Sequence, residues 1–106
     1  MSSIAEAAPG WYLALDDDVS DRLVALHEPV IRIGRGPHCD VRLDHPSVAF
    51  DHAALAVRSG SLTLFAINAE RPTLVNGRPV REQARLTDYD VVRLGDVLVV
   101  VRRMRR

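Results

Sequence analysis

The sequence contains no lysine: all 14 of its basic residues are arginine. Acidic residues also number 14. The formal charge is therefore zero, which removes the global positive field by which most nucleic-acid binders attract a phosphate backbone. What remains is a set of planar guanidinium forks, each shaped for a phosphate or a carboxylate. Cysteine is almost absent too. Cys39 stands alone, so no disulfide forms within the chain, and a reducing, cytoplasmic setting is the expectation. No run approaches the ~18 consecutive apolar residues of a membrane-spanning helix, and residues 1–9 lack the charged and apolar regions of a signal peptide. Nucleotide loops are missing as well. Gly34-Arg35-Gly36 has neither the third glycine nor the following helix of a dinucleotide site, and no Gly-Lys-Ser/Thr occurs.

What is present suits one globular domain. A chain of 106 residues buries roughly two thirds of its unfolded surface on folding. The hydrophobic fraction of 47% and charged fraction of 26% are ordinary for a folded protein, which argues against disorder of the body.

Short β-favouring runs recur between turn signals. Residues 11–15, 22–27, 30–33 and 41–43 read as strands, separated by Asp16-Asp17-Asp18, Glu28-Pro29 and the Gly34–Pro37 turn. Residues 53–58 and 62–67 flank Ser59-Gly60-Ser61 and read as a hairpin, although Ala53-Ala54-Leu55-Ala56 carries helix propensity. Asn76-Gly77, between 74–75 and 78–80, is the strongest hairpin signal, because both positions tolerate positive φ. Residues 91–94 and 97–101 supply the last strands, and the unbroken run 97–101 reads as covered on both faces or as an interior sheet member. With no amphipathic helix, the pattern predicts an all-β sandwich. Residues 1–10 read as an arm, 11–103 as the domain and 104–106 as the end of a basic tail that begins at Arg102.

The stretch 30–52 organises the rest. Ile33-Gly34-Arg35, Cys39-Asp40-Val41-Arg42-Leu43, Pro46-Ser47-Val48 and His52-Ala53, followed by Thr73-Leu74-Val75-Asn76-Gly77, Leu86, Asp90 and Gly95, closely resemble the forkhead-associated (FHA) domain. The likeness runs over nearly the whole chain. It implies a sandwich of two twisted, mainly antiparallel sheets with about 10–11 short strands, used to read phosphothreonine peptides and not for catalysis. It also implies roles. Arg35 matches the arginine that hydrogen-bonds the phosphothreonine, while Gly34 and His52 match the glycine and histidine that hold the loops.

Departures fall where the ligand is gripped. Three residues before His52, where the family pattern Ser-x-x-His supplies a phosphate-binding hydroxyl, stands Ala49; Phe50 and Asp51 occupy the next two positions. In the family's Ser-x-Asn-Gly-Thr element, Arg71 stands at the asparagine and Pro72 at the glycine. Asn76 belongs to the later hairpin. Losing one hydrogen bond to a charged group costs about 1.5–3 kcal/mol, or roughly ten- to a hundredfold in affinity. The expectation is a protein-interaction module with weakened or lost phosphothreonine recognition, its partner-binding loops carrying Arg35, Ser47, Ala49, Phe50, Asp51 and Arg71.

Alternatives stay open. Arg71 either pairs with Asp51, leaving a phosphate-independent surface, or joins Arg35 in a rewired phosphate clamp. Phe50 reads as tucked into the core or, less readily, as an exposed partner anchor. From another class, the tail from Arg102 onward suggests a nucleic-acid or membrane adaptor, recognisable by salt-sensitive binding. Asp44-His45 and Asp51-His52 look like paired metal ligands, but Pro46 excludes the helix that would align them, and His27 and His38 read as lone. Cys39 reads as a buried small residue. No metal, cofactor or small-molecule substrate is expected, and the partner is a protein or phosphoprotein.

Overall fold

The computed structural model describes residues 9–16 and 21–105. Eleven strands are present: β1 (Gly10–Asp16), β2 (Asp21–Ala25), β3 (Val30–Gly34), β4 (Val41–Arg42), β5 (Ala53–Arg58), β6 (Ser61–Ala66), β7 (Thr73–Val75), β8 (Arg78–Val80), β9 (Gln83–Leu86), β10 (Val91–Leu94) and β11 (Val97–Met104). Among the described residues there is no helix, hence none long and apolar enough to cross a membrane.

The strands form two sheets, ordered β2-β1-β11-β10-β7-β8 and β4-β3-β5-β6-β9. Every recorded pairing is antiparallel except that of β3 with β4. Alternation within strands does the sorting, because neighbouring side chains point to opposite faces. Leu13, Leu15, Val92, Leu94, Val99 and Val101 from the first sheet are buried in one core with Ile31, Ile33, Leu55, Leu62, Leu64 and Leu86 from the second. Each such side chain contributes about 1.5–3 kcal/mol by leaving water.

The hairpin turns follow their sequence signals. Asn76 and Gly77 take φ of 52° and 84°, and Ser59 and Gly60 take 49° and 78°. Positive φ at both central positions is the geometry whose twist matches the flanking strands. Ala53–Arg58 is a strand despite its alanines, since pairing on both sides with β3 and β6 outweighs a helix propensity of a few tenths of a kcal/mol per residue. The run Val97–Val101 is an interior member between β1 and β10, and Leu98 is exposed on its outer face.

Three expectations are corrected. Gly10 is not part of an arm, because it pairs with Met104 in the β1–β11 ladder; residues 1–8, the remainder of that arm apart from Pro9, lie outside the described residues, as do 17 to 20 of the acidic break. The basic tail does not start at Arg102. Arg102, Arg103 and Met104 belong to β11, with Met104 buried; the Arg102 Nε donates to Asp88 at 3.0 Å and its guanidinium covers Tyr89, while that of Arg103 covers Trp11. Asp88 thus pairs with the Arg102 charge, and the Arg103 guanidinium is held against a ring on β1. Finally, β9 has no counterpart in the pattern reading. It is a four-residue strand held by β6, with only Leu86 fully buried.

Candidate functional site

The β3 strand ends at Gly34, and the chain then runs against the loop that precedes β5. The Arg35 N–H donates to the Ala49 carbonyl at 2.9 Å and the Gly36 N–H to the Phe50 carbonyl at 3.1 Å, continuing the β3–β5 pairing beyond the strands. Such proximity requires glycine at 34. A Cβ there would overlap the Phe50 carbonyl, which is backbone and has no rotamer to yield.

His52 holds the loops, as its position in the family pattern implies. It is fully buried. Its Nδ1 accepts the Ala49 N–H at 3.1 Å, and its carbonyl accepts from Ile67 and Asn68 at 3.3 and 3.4 Å, so one residue joins the loop before β5 to the loop after β6. Burial lowers its pKa, with the Pro72 carbonyl opposing and the Arg71 charge adding to the shift. The neutral ring, accepting at Nδ1, is the form this arrangement needs.

Along the exposed rim, Ala49 is buried and brings no hydroxyl. Phe50 is 53% exposed, contrary to the expectation of a core position. Its carbonyl is bound to Gly36, which keeps the backbone on the rim and leaves the ring outside. The Arg35 guanidinium lies 4.5 Å from the centre of that ring, and its Nε donates to the Val48 carbonyl at 3.1 Å.

Asp51 does not pair with Arg71. Its Oδ1 lies 2.5 Å from the His38 Nε2 and 3.6 Å from the Arg32 guanidinium. The His38 hydrogen bond lowers the carboxyl pKa, against a smaller desolvation effect. Arg71 turns elsewhere: Asn68 Oδ1 accepts its N–H at 2.9 Å, and its side chain donates to the Pro46 carbonyl at 2.8 Å. The Ser47 hydroxyl accepts the Asp96 N–H at 2.8 Å and contacts His45 Nδ1 at 2.7 Å. That serine therefore locks its loop to the β10–β11 turn. Asn76 bonds Asp90 and the Val91 N–H, a role in the hairpin and not at the rim.

Arg35 and Arg71 thus both donate to one short loop, at carbonyls two residues apart and so within about 7 Å of each other. Among the described residues neither has a carboxylate partner. The arrangement presents positive charge with open donors, suited to an anion. Nothing in the local sequence announces the Arg71–Pro46 tether, which spans 25 positions.

No metal site is made from Asp44-His45 with Asp51-His52: His45 serves Ser47, and His52 is enclosed. His38 is not lone, however, and Cys39 is only half-buried. Their ligand atoms gather with that of Asp51 within 4.8 Å of one another.

Comparison with known proteins agrees with this architecture. The FHA domain profile matches residues 31–95. FHA domain-containing protein FhaA of Mycobacterium tuberculosis is 40% identical over 88 residues, covering 81% of this chain and 16% of that protein. Human proliferation marker protein Ki-67 is 33% identical over 63 residues, covering 59% of this chain and 2% of that protein. The chain therefore spans a small part of the curated relatives it matches. A solved FHA domain, studied for phosphothreonine-dependent interactions, superposes with a TM-score of 0.83 at 33% identity, covering 91% of this chain and 98% of its own. The FhaA FHA domain in complex with the intracellular domain of Rv3910 superposes at 0.80 with 34% identity, covering 88% and 100%. Fold, loop framework and profile agree: the chain belongs to the FHA domain family, whose members are phosphothreonine-peptide-binding protein-interaction modules, generally without catalytic activity.

Proposed function

We propose that this domain is a non-enzymatic protein-interaction module that binds a phosphorylated peptide through Arg35 and Arg71, more weakly than the full family motif would. The observation that carries this reading is the shared tether. Arg71 reaches the Pro46 carbonyl where an asparagine would stand, and Arg35 reaches Val48 in the same loop. A phosphothreonine carries about −1.5 to −2 charge at neutral pH and three strong acceptor oxygens, so the Arg71 guanidinium, added to the Arg35 that the family motif already supplies, offsets part of what the absent hydroxyl at Ala49 removes. Relatives studied in phosphothreonine-dependent interactions and in complex with a partner domain support a protein or phosphoprotein as the partner. Cys39 as the lone cysteine fits a reducing, cytoplasmic location.

The test is a paired titration of the domain with a library of phosphothreonine peptides and their unphosphorylated copies. A preference for the phosphorylated set that falls about tenfold or more in each of Arg35→Ala and Arg71→Ala supports the clamp. Equal binding of both sets sinks it.

A second reading has its own support in Phe50. An aromatic ring 53% exposed at the centre of the loop edge is the kind of anchor that carries phosphate-independent contacts. Binding to an unphosphorylated partner that is abolished by Phe50→Ala but unchanged by Arg71→Ala would favour it. For a nucleic-acid or membrane adaptor, Arg102 and Arg103 are already engaged on β11, so that reading rests on the residues after Met104 and is tested by salt-sensitive binding lost on their deletion.

A further inference from the structure

Three side chains that phosphopeptide binding leaves unused converge beside the rim. His38 and Cys39 come from the loop after β3, and Asp51 from the loop before β5, with their nitrogen, sulfur and oxygen within 4.8 Å of one another. The backbone beneath them is tied at several points. The Cys39 N–H donates to the Gly36 carbonyl at 3.1 Å, the Cys39 thiol to the Phe50 carbonyl at 3.1 Å, and Gly36 itself to that same carbonyl. Gly36 has no side chain, and the His38 ring occupies the space a Cβ would take.

We propose that His38 Nε2, Cys39 Sγ and Asp51 Oδ1 bind one Zn²⁺ ion, with water in the fourth position. Imidazole, thiolate and carboxylate are the donors zinc uses, and a thiolate discriminates against Mg²⁺ and Ca²⁺, which require oxygen. Bonds of about 2.0–2.3 Å in a tetrahedron place ligand atoms roughly 3.3–3.7 Å apart. The observed spread brackets this range, from the 2.5 Å His38–Asp51 contact to the 4.8 Å limit. Opening that contact by about 1 Å needs only side-chain rotation, and the two side chains are 47% and 41% exposed.

Binding moves one proton. The thiol gives up its hydrogen to solvent and releases the Phe50 carbonyl, while the neutral imidazole changes tautomer. The hydrogen that Nε2 donates to Asp51 is lost to solvent and one is taken up at Nδ1, which frees the Nε2 lone pair for the ion and leaves a net release of one proton. The Arg32 guanidinium, 3.6 Å from the Asp51 oxygen, opposes the ion and must swing aside. The bound metal then ties the loop carrying Arg35 to the loop carrying Phe50. Its binding is independent of how those loops read phosphate.

The experiment is calorimetric titration of the full chain with Zn²⁺, with Co²⁺ absorbance as a probe of thiolate coordination. One ion per chain, a thiolate-to-cobalt charge-transfer band, and affinity at least about tenfold lower in each of His38→Ala, Cys39→Ser and Asp51→Asn are expected. Arg32→Ala strengthens binding. Thermal unfolding in the presence of a chelator confirms that each variant folds. The site is overturned by no measurable binding, by unchanged affinity in Cys39→Ser, by a cobalt spectrum without the thiolate band, or by one ion per two chains.

Discussion

Arg35 and Phe50 form a stacked pair on the loop edge: the guanidinium carbon lies 4.5 Å from the ring centre while the Arg35 Nε is bound to the Val48 carbonyl. One ring face and one carbonyl therefore fix the direction in which the remaining donors point. A cation over an exposed ring is worth about 0.5–1 kcal/mol. In Phe50→Ala the phosphopeptide affinity is expected to fall roughly two- to fivefold, with stability changed by less than about 0.5 kcal/mol. Peptide titration beside urea denaturation checks both; a large stability loss would place the ring's role in the core instead.

Gly34→Ala is expected to destabilise the domain by about 1–3 kcal/mol, as overpacking does. The added carbon meets the Phe50 carbonyl, so the loop has to retreat. Chemical denaturation reads the loss, and chemical shifts of residues 49–52 should move. A Gly34→Ala variant as stable as the parent would mean the loop approaches less closely than described.

Thr73 is 99% buried, and its hydroxyl has no hydrogen-bond partner. An unsatisfied buried hydroxyl costs about 1–3 kcal/mol. Replacing it by a methyl of similar shape in Thr73→Val is expected to raise stability by about 1 kcal/mol, which thermal unfolding would register as a higher midpoint. A lower midpoint would reveal a partner for the hydroxyl.

The pH dependence follows from His52. Its pKa in the folded chain lies below the ordinary value because burial disfavours the charged ring. The unfolded chain thus binds the proton more readily, and stability rises with pH in that window. The His52 contribution is fully present above about pH 6.5 and is lost as pH falls through the depressed folded value. Protonation also removes Nδ1 as acceptor for Ala49. Denaturation at pH 7.5 and 5.5 should show the lower stability at the acidic value, and His52→Gln should flatten that difference. The lowered Asp51 pKa acts with the same sign, below the usual carboxylate range.

Much of the architecture was open to reading from order alone. The alternation of residues 30–33, the glycine pairs and the Asn76-Gly77 turn are local signals, and local backbone preferences act within a few residues. The β9 strand was not. Gln83–Leu86 has a single fully buried position, and its strand character comes from pairing with β6. Similarly, arginines at 102 and 103 look like a tail until β1, Asp88, Tyr89 and Trp11 are brought beside them.

The candidate site divides along the same line. Order alone determined which groups are present: Arg35 after the glycine that ends β3, Ala49 three residues before His52, Arg71 before Pro72, and the β-sandwich on which they sit. Tertiary structure decided whom those groups meet. Arg71 goes to Pro46 and not to Asp51, Asp51 goes to His38, and Phe50 faces outward. These choices depend on contacts between loops far apart in the chain, where a few ångströms select among partners of nearly equal chemistry. Composition and spacing carry no such distance.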